Sequence, residues 1–168
     1  MVDYKSVSIS MELNFNKLSS SAAGPVLANP TEYHQLVGAL MFLVNTRPDI
    51  CFAVKTLGQH MVDPHHIHWV GAKNLLRYLR GTINHGLRYS TKSMTLHGYT
   101  DADWAGSVVD HKSTSRCCFT IGFASISWMS RKQKSVALST AEAKYIATSM
   151  ACCEATCESS SVICSSMC

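Results

Sequence analysis

Gly98-Tyr-Thr-Asp-Ala-Asp-Trp-Ala-Gly106 decides the fold. It reads as an apolar strand, Leu96 to Thr100, running into two acids, Asp101 and Asp103. Downstream, Ser139-Thr-Ala-Glu-Ala-Lys-Tyr-Ile-Ala147 opens a helix. Ser139 and Glu142 form a Ser-x-x-Glu capping box, and the helix is predicted through about Cys157. Between the two stretches, Cys117, Phe119, Ile121 and Phe123 alternate with smaller residues, as a half-buried strand requires. Ser125 to Met129 is a third strand, reached through a short turn near Gly122. A carboxylate at a strand end, facing a second carboxylate on a following helix, is an arrangement that holds Mg²⁺. Asp103 lies two residues beyond Asp101, so the two share a face if the strand continues. A turn or capping acid is the simpler reading of Asp103.

Upstream of the strand the period is helical. Leu36, Leu40, Leu43 and Val44 form one stripe, ended by Thr46-Arg-Pro48. Asp49 is placed to cap a second helix carrying Ile50, Ala53, Val54 and Leu57 inward. Asp63-Pro64 breaks and restarts the chain. A third helix turns Trp69, Ala72, Leu75, Leu76 and Leu79 inward and ends at Gly81 or Gly86. Ser19 to Pro25 reads as a loop or an unanchored arm. The expected organisation is a flexible arm over 1–30, a helical lobe over 31–90, a strand-and-helix domain over 91–157 and an irregular Ser/Cys-rich tail over 158–168.

Composition narrows the classes. In 168 residues, 46% are hydrophobic and 15% charged, which is a globular balance rather than a disordered one. No stretch approaches the ~20 apolar residues of a membrane span. Met1 to Ser21 has no apolar run of signal-peptide length. The 8 cysteines lack the regular spacing of a secreted disulfide framework, so the chain reads as reduced and intracellular. The net charge of +4 is mild, but its placement is uneven: Lys73, Arg77, Arg80 and Arg88 fall in a stretch from Pro64 to Thr100 without one acid.

Several short runs, in order, carry a resemblance. They are Glu32-Tyr-His-Gln-Leu-Val-Gly38, Thr46-Arg-Pro-Asp-Ile50, Leu76-Arg-Tyr-Leu-Arg-Gly-Thr82, the Gly98–Gly106 stretch, Lys112-Ser-Thr-Ser115, Ile126-Ser-Trp128 and Lys132-Gln133. Over roughly residues 8 to 156 the chain resembles copia-type retrotransposon Pol polyproteins. The resemblance implies a reverse transcriptase C-terminal region over the helical lobe. It implies a truncated ribonuclease H over the strands. The fold class expected is therefore α+β: a helical lobe, then a partial ribonuclease H-like sheet of three antiparallel strands packed on one helix.

Active members of that family hydrolyse the RNA of RNA/DNA hybrids with Mg²⁺ held by several carboxylates. By resemblance Asp101 is the first ligand. The second should be a Glu at the position of Lys144. Glu142 cannot replace it, because helical positions 142 and 144 point about 200° apart. An ammonium at 144 repels a divalent cation and offers Asp101 a salt bridge. Arg116 and Cys117 also depart from the family pattern, and the later acidic strands are absent. The resemblance thus implies a degenerate, non-catalytic fragment that holds no metal and needs no cofactor. Asp101 is vestigial and Lys144 marks the lost Glu. An incomplete sheet would expose an edge, which invites self-association.

Two binding readings remain. Lys73, Arg77 and Arg80, spaced 4 and 3 apart, share a face opposite Trp69, Leu75 and Leu79. Such a face contacts phosphates, which makes a weak RNA/DNA partner conceivable, or it is the solvated side of an amphipathic helix. Arg131 to Lys134 offers the same two readings. Arg77-Tyr78-Leu79-Arg80 is also a literal Arg-x-Leu-Arg, similar to the host-translocation motif of secreted oomycete effectors. That resemblance implies a secreted virulence protein delivered into a host cell, where it would bind host proteins and suppress immune cell death. His65-His-Ile-His68 reads as exposed first-turn histidines rather than a metal site. Cys153, Cys157, Cys164 and Cys168 are symmetrically spaced, but no structural element frames them as in a zinc finger.

Overall fold

The computed structural model describes residues 5–12, 15, 24–89, 95–107 and 109–166, with 158–166 described as backbone only. The arrangement is α+β, and the chain divides into two units, Met1–Leu87 and Arg88–Cys168.

The first unit is helical. Helix α1, Pro30–Leu43, starts where Asn29 accepts the Thr31 N–H at 3.2 Å, with Pro30 pre-set for the first turn. It buries Tyr33, Val37 and Leu40. Leu36, Leu43 and Val44, expected inward, are partly buried at the margin of the same core. The Tyr33 hydroxyl donates to the Leu57 carbonyl at 2.7 Å, which satisfies both groups inside the core. A 3₁₀ turn, Pro48–Ile50, leads into α2, Cys51–Gly58, which buries Ala53, Val54 and Leu57 beside Ile50.

Asp49 does not cap α2, contrary to the sequence reading; Ile50 holds that position without a side-chain bond. Asp49 instead takes a forked ion pair from Arg47 at 2.7 and 2.9 Å and accepts from the Tyr78 hydroxyl at 2.9 Å. Arg47 also donates to the Thr82 carbonyl and hydroxyl at 3.0 and 2.6 Å. The hydrogen bond from Arg47 holds the Asp49 carboxyl below its usual range. A planar guanidinium suits this many-acceptor clasp better than a local cap would use the acid.

Helix α3, His66–Gly81, buries His68, Ala72 and Leu75, with Trp69, Leu76 and Leu79 partly covered. The segment before α1 is not simply an arm. Phe15 is buried, and a Cβ on Gly71 would come within 2.6 Å of its ring, so the glycine opens its seat. Met11 and Leu27 pack on the same core. Burying these apolar side chains favours docking of the described residues over a free arm. Most of the Ser19–Pro25 loop lies outside the described residues.

The second unit is a three-stranded antiparallel sheet in the order β1-β2-β3. Strand β1 is Leu96–Ala102, β2 is Thr114–Ile121 and β3 is Ala124–Lys132. Gly122, at φ 60°, opens the two-residue loop between β2 and β3, a position that favours glycine. Phe123 occupies the rest of that loop and is fully exposed, so it does not continue the buried alternation of Cys117 and Phe119. Helix α4, Thr140–Ser166, lays Ala143, Ala147 and Ala151 inward at spacings of four. It runs beyond Cys157, where an irregular tail was expected. No Gly or Pro occurs from Thr140 to Ser166, so nothing in the sequence forces a stop. Cys164 and Cys168 lie outside the described side chains. Among the described residues no helix is long and apolar enough to cross a membrane.

The histidine run also differs from expectation. His68 is 2% exposed; it stacks on His60 with centroids 3.9 Å apart and meets Phe15 edge-on. Its Nδ1 accepts the His65 backbone N–H at 2.9 Å, so its place in the cap draws it inward. Burial, with His60 and His65 nearby, pushes His68 down to about 4. The unfolded chain therefore holds a proton on His68 that the folded chain rejects between about 6.5 and about 4. Stability contributed by the neutral ring is present above this window and is lost as pH falls through it. Urea unfolding across the window should show a falling midpoint with acid. His68→Asn, which keeps an acceptor for the His65 N–H, should flatten that fall.

Candidate functional site

The acidic strand end and the start of α4 form the candidate site. Asp101 sits directly opposite Arg116 in the β1–β2 register. The carboxylate is 3.6 Å from Arg116 Nη1, and the two side chains are 64% and 39% exposed. An exposed pair at this distance contributes only about 0.2–1 kcal/mol, but it sets a cation beside the carboxylate.

Lys144 does not meet Asp101. Among the described residues the ion pair of Asp101 is with Arg116, and Lys144 is exposed. The reason is helical phase. Ala143 is on the buried line of α4, and the next residue turns about 100° away from it. The expected Lys144–Asp101 salt bridge is thus replaced by a cross-strand one. Glu142 is engaged at the helix start: its carboxylate accepts the Leu138 N–H at 2.7 Å, while its own N–H donates to Ser139 Oγ at 3.2 Å.

Asp103 is a loop acid. Its N–H donates to the Thr114 carbonyl at 3.2 Å, and its carboxylate accepts the Thr114 N–H. Asp110, in the same loop, is bonded by the Ser107 hydroxyl and by Lys132 at 2.9 Å, and these bonds hold it down to about 2. Trp104 Nε1–H donates to the Ala137 carbonyl at 3.1 Å, which ties this loop to the approach of α4. Among the described residues no group of three or more His, Cys, Asp or Glu is arranged to hold a metal ion.

Gln133 organises the site, although its sequence context gave no sign beyond its place in a short run. It is 2% exposed. Its backbone N–H donates to the Ser113 carbonyl at 2.8 Å. Its side-chain amide donates to Ser115 Oγ and to the Ala143 carbonyl, each at 2.9 Å. One side chain therefore fixes the first turn of α4 against β2, and with it the spacing between positions 101 and 144.

Two of the basic residues of α3 make contacts within the chain. Lys73 was expected opposite Trp69, but its ammonium lies 4.8 Å from that ring, because residues four apart on a helix are neighbours. Arg77 donates to the Lys5 carbonyl at 2.8 Å and to Asn74 at 3.2 Å. Arg80 is exposed. In the Arg77–Arg80 run, Tyr78 is bonded to Asp49 and Leu79 packs against the core.

Gln133→Ala removes both amide bonds and leaves the Ser115 hydroxyl and the Ala143 carbonyl without that partner in the interior. Unfolding free energy should fall by about 1–3 kcal/mol. Hydrogen exchange should rise first at the α4 N-terminus, with the helical unit unchanged.

Comparison with known proteins places the chain. No protein-family model matches it, and no solved structure matches it. It is 45% identical over 124 residues, 73% of this chain, to the retrovirus-related Pol polyprotein from transposon RE2 of Arabidopsis thaliana. The chain spans only 8% of that polyprotein's length. It is 46% identical over 125 residues to secreted RxLR effector protein 161 of Plasmopara viticola, spanning 88% of that protein. An uncharacterized mitochondrial protein of Arabidopsis thaliana is 35% identical over 162 residues, 96% of this chain and 66% of the relative. On these sequence likenesses the chain belongs to the copia-type retrotransposon Pol polyprotein family.

Proposed function

We propose that this transposon-derived chain is a non-catalytic ribonuclease H-like and reverse transcriptase-like fragment with weak residual affinity for nucleic acid. The observation that carries the reading is the charge around Asp101. A divalent cation needs a second carboxylate near the first. Here the carboxylate faces the Arg116 guanidinium at 3.6 Å, and the helix position that would supply the second acid is Lys144. Glu142 is already used by the Leu138 N–H.

The residual affinity rests on α3 and on the acid-free stretch around it. Lys73 and Arg80 are exposed, and Arg77 is half-buried. Each phosphate contact adds a salt-dependent increment to binding. The test is twofold and uses a labelled RNA/DNA hybrid with Mg²⁺ or Mn²⁺. Hydrolysis should not rise above that of an Asp101→Asn control; hydrolysis above it refutes the reading. Binding should weaken with salt. Lys73→Ala/Arg77→Ala/Arg80→Ala should lower the log–log slope by up to about one unit for each phosphate the variant no longer neutralises. A slope unchanged by the triple variant removes α3 from the interface.

A second reading is favoured by one observation. The effector relative is covered over 88% of its length at 46% identity, whereas the polyprotein from transposon RE2 is covered over 8%. On that reading the chain is a secreted effector that enters host cells, binds host proteins and suppresses immune cell death, with Arg77 to Arg80 as the entry motif. The first reading places it inside the cell that makes it. Expression inside plant leaf cells separates them. An effector suppresses induced cell death, and Arg77→Ala/Arg80→Ala abolishes this only when the protein is supplied from outside. No suppression from inside eliminates the effector reading.

A further inference from the structure

Strand β1 lies at the outside of the sheet and has no second neighbour among the described residues. Bonds at its two ends fix which of its backbone groups are used. The Thr95 carbonyl accepts from the Gly122 N–H at 3.3 Å, and the Asp103 N–H donates to the Thr114 carbonyl at 3.2 Å. Both continue the β1–β2 register, in which Leu96 faces Ile121 and Ala102 faces Ser115. Hydrogen-bonded pairs alternate along an antiparallel ladder. The odd-numbered residues of β1 therefore turn their N–H and C=O to β2. Those of Leu96, Gly98, Thr100 and Ala102 point to the open edge.

That edge is exposed from His97 to Asp101. It has no Pro, no Lys and no irregularity in its register with β2, the devices that keep an edge strand from pairing. Its side chains alternate cleanly. Leu96 packs on the inner face with Cys117, Phe119 and Ala151. His97, Tyr99 and Asp101 lie on the opposite face, the side of Arg116.

The strand is complementary to itself in one register. We propose that two copies of this chain join through β1, antiparallel about a two-fold axis at Tyr99. Gly98 then exchanges both backbone hydrogen bonds with the partner's Thr100, and Thr100 does so with the partner's Gly98. Tyr99 faces the partner's Tyr99 across a non-hydrogen-bonded pair, where side chains approach most closely. Asp101 stands opposite the partner's His97. A row results in which Asp101 sits between its own Arg116 and the partner's imidazole. An axis at Gly98 would set Asp101 against the partner's Thr95. An axis at Thr100 would set it against the partner's Tyr99. Only the Tyr99 axis matches the acid to a base. The resulting interface is isologous, and its two-fold axis closes the β1 contact at two copies. The dimer goes beyond the catalytic reading and does not depend on it.

Sedimentation equilibrium of the full chain under reducing conditions tests this. Wild type should show a concentration-dependent monomer–dimer equilibrium. Tyr99→Lys puts two ammonium groups opposite each other and should raise the dimer Kd about tenfold or more. Thr100→Pro deletes an edge N–H that β2 does not use and should have the same effect, with circular dichroism confirming the fold. His97→Asp should weaken the dimer, and His97→Asp combined with Asp101→His should restore it, which general damage to the fold cannot do. A chain that stays monomeric across the series overturns the proposal. So does a dimer whose Kd is unmoved by Tyr99→Lys and His97→Asp.

Discussion

A single buried amide holds the second unit in register. Gln133 leaves the end of β3 and binds Ser115 on β2 and the Ala143 carbonyl on α4. Neither bond is replaceable by packing, because the inner surface of α4 is a line of alanines, Ala143, Ala147 and Ala151. Small side chains let helix and sheet approach but supply little shape to define the angle between them. A directional bond at the first turn supplies what the alanines lack. The loop from Asp103 to Ser113 depends on the same anchor, since the Gln133 N–H bonds to Ser113, and Ser113 Oγ in turn accepts the Ala105 N–H at 3.1 Å.

The frame so fixed sets the strand-end acid beside one cation and leaves the ammonium of α4 apart from it. Arg116 is cross-strand to Asp101, where a residue without charge would leave the carboxylate open. Lys144 stands one position past a buried alanine, on the exposed flank of α4. The scaffold and its charges thus belong to different physical categories. Hydrogen bonds and apolar burial keep the fold, and neither is sensitive to which charged group stands at positions 116 and 144.

The elements were legible in the sequence because their signals are periodic or local. The Ser139–Glu142 box, the alternation through Cys117 and Phe119 and the stripe Ile50, Ala53, Val54, Leu57 correspond to elements in the structure. What failed was long-range. Asp49 looks like a cap until Arg47, Tyr78 and Thr82 are near it. His68 looks like a solvent-facing residue until His60 stacks on it and Phe15 closes over it. Lys73 was set opposite Trp69, although a spacing of four already makes them neighbours. Asp101 was the most visible residue of the site, yet its partner, Arg116, is set by strand register, which a pattern of apolar residues does not by itself report.

The docking of the first residues carries a consequence for how the chain is made. The Lys5 carbonyl binds Arg77, 72 positions later in sequence, and Phe15 fills the space over Gly71. During synthesis the N-terminal segment therefore emerges long before its seat exists. Met11 and Phe15 stay uncovered until α3 has left the ribosome. The sheet of the second unit is different, a meander of sequence neighbours closed by the helix that follows it. Loop closure over a long separation is slow, whereas such a meander collapses locally. The helical unit accordingly cannot close before α3 is present to receive these residues. Until it is complete, the nascent chain presents an apolar segment to whatever chaperone waits at the tunnel exit.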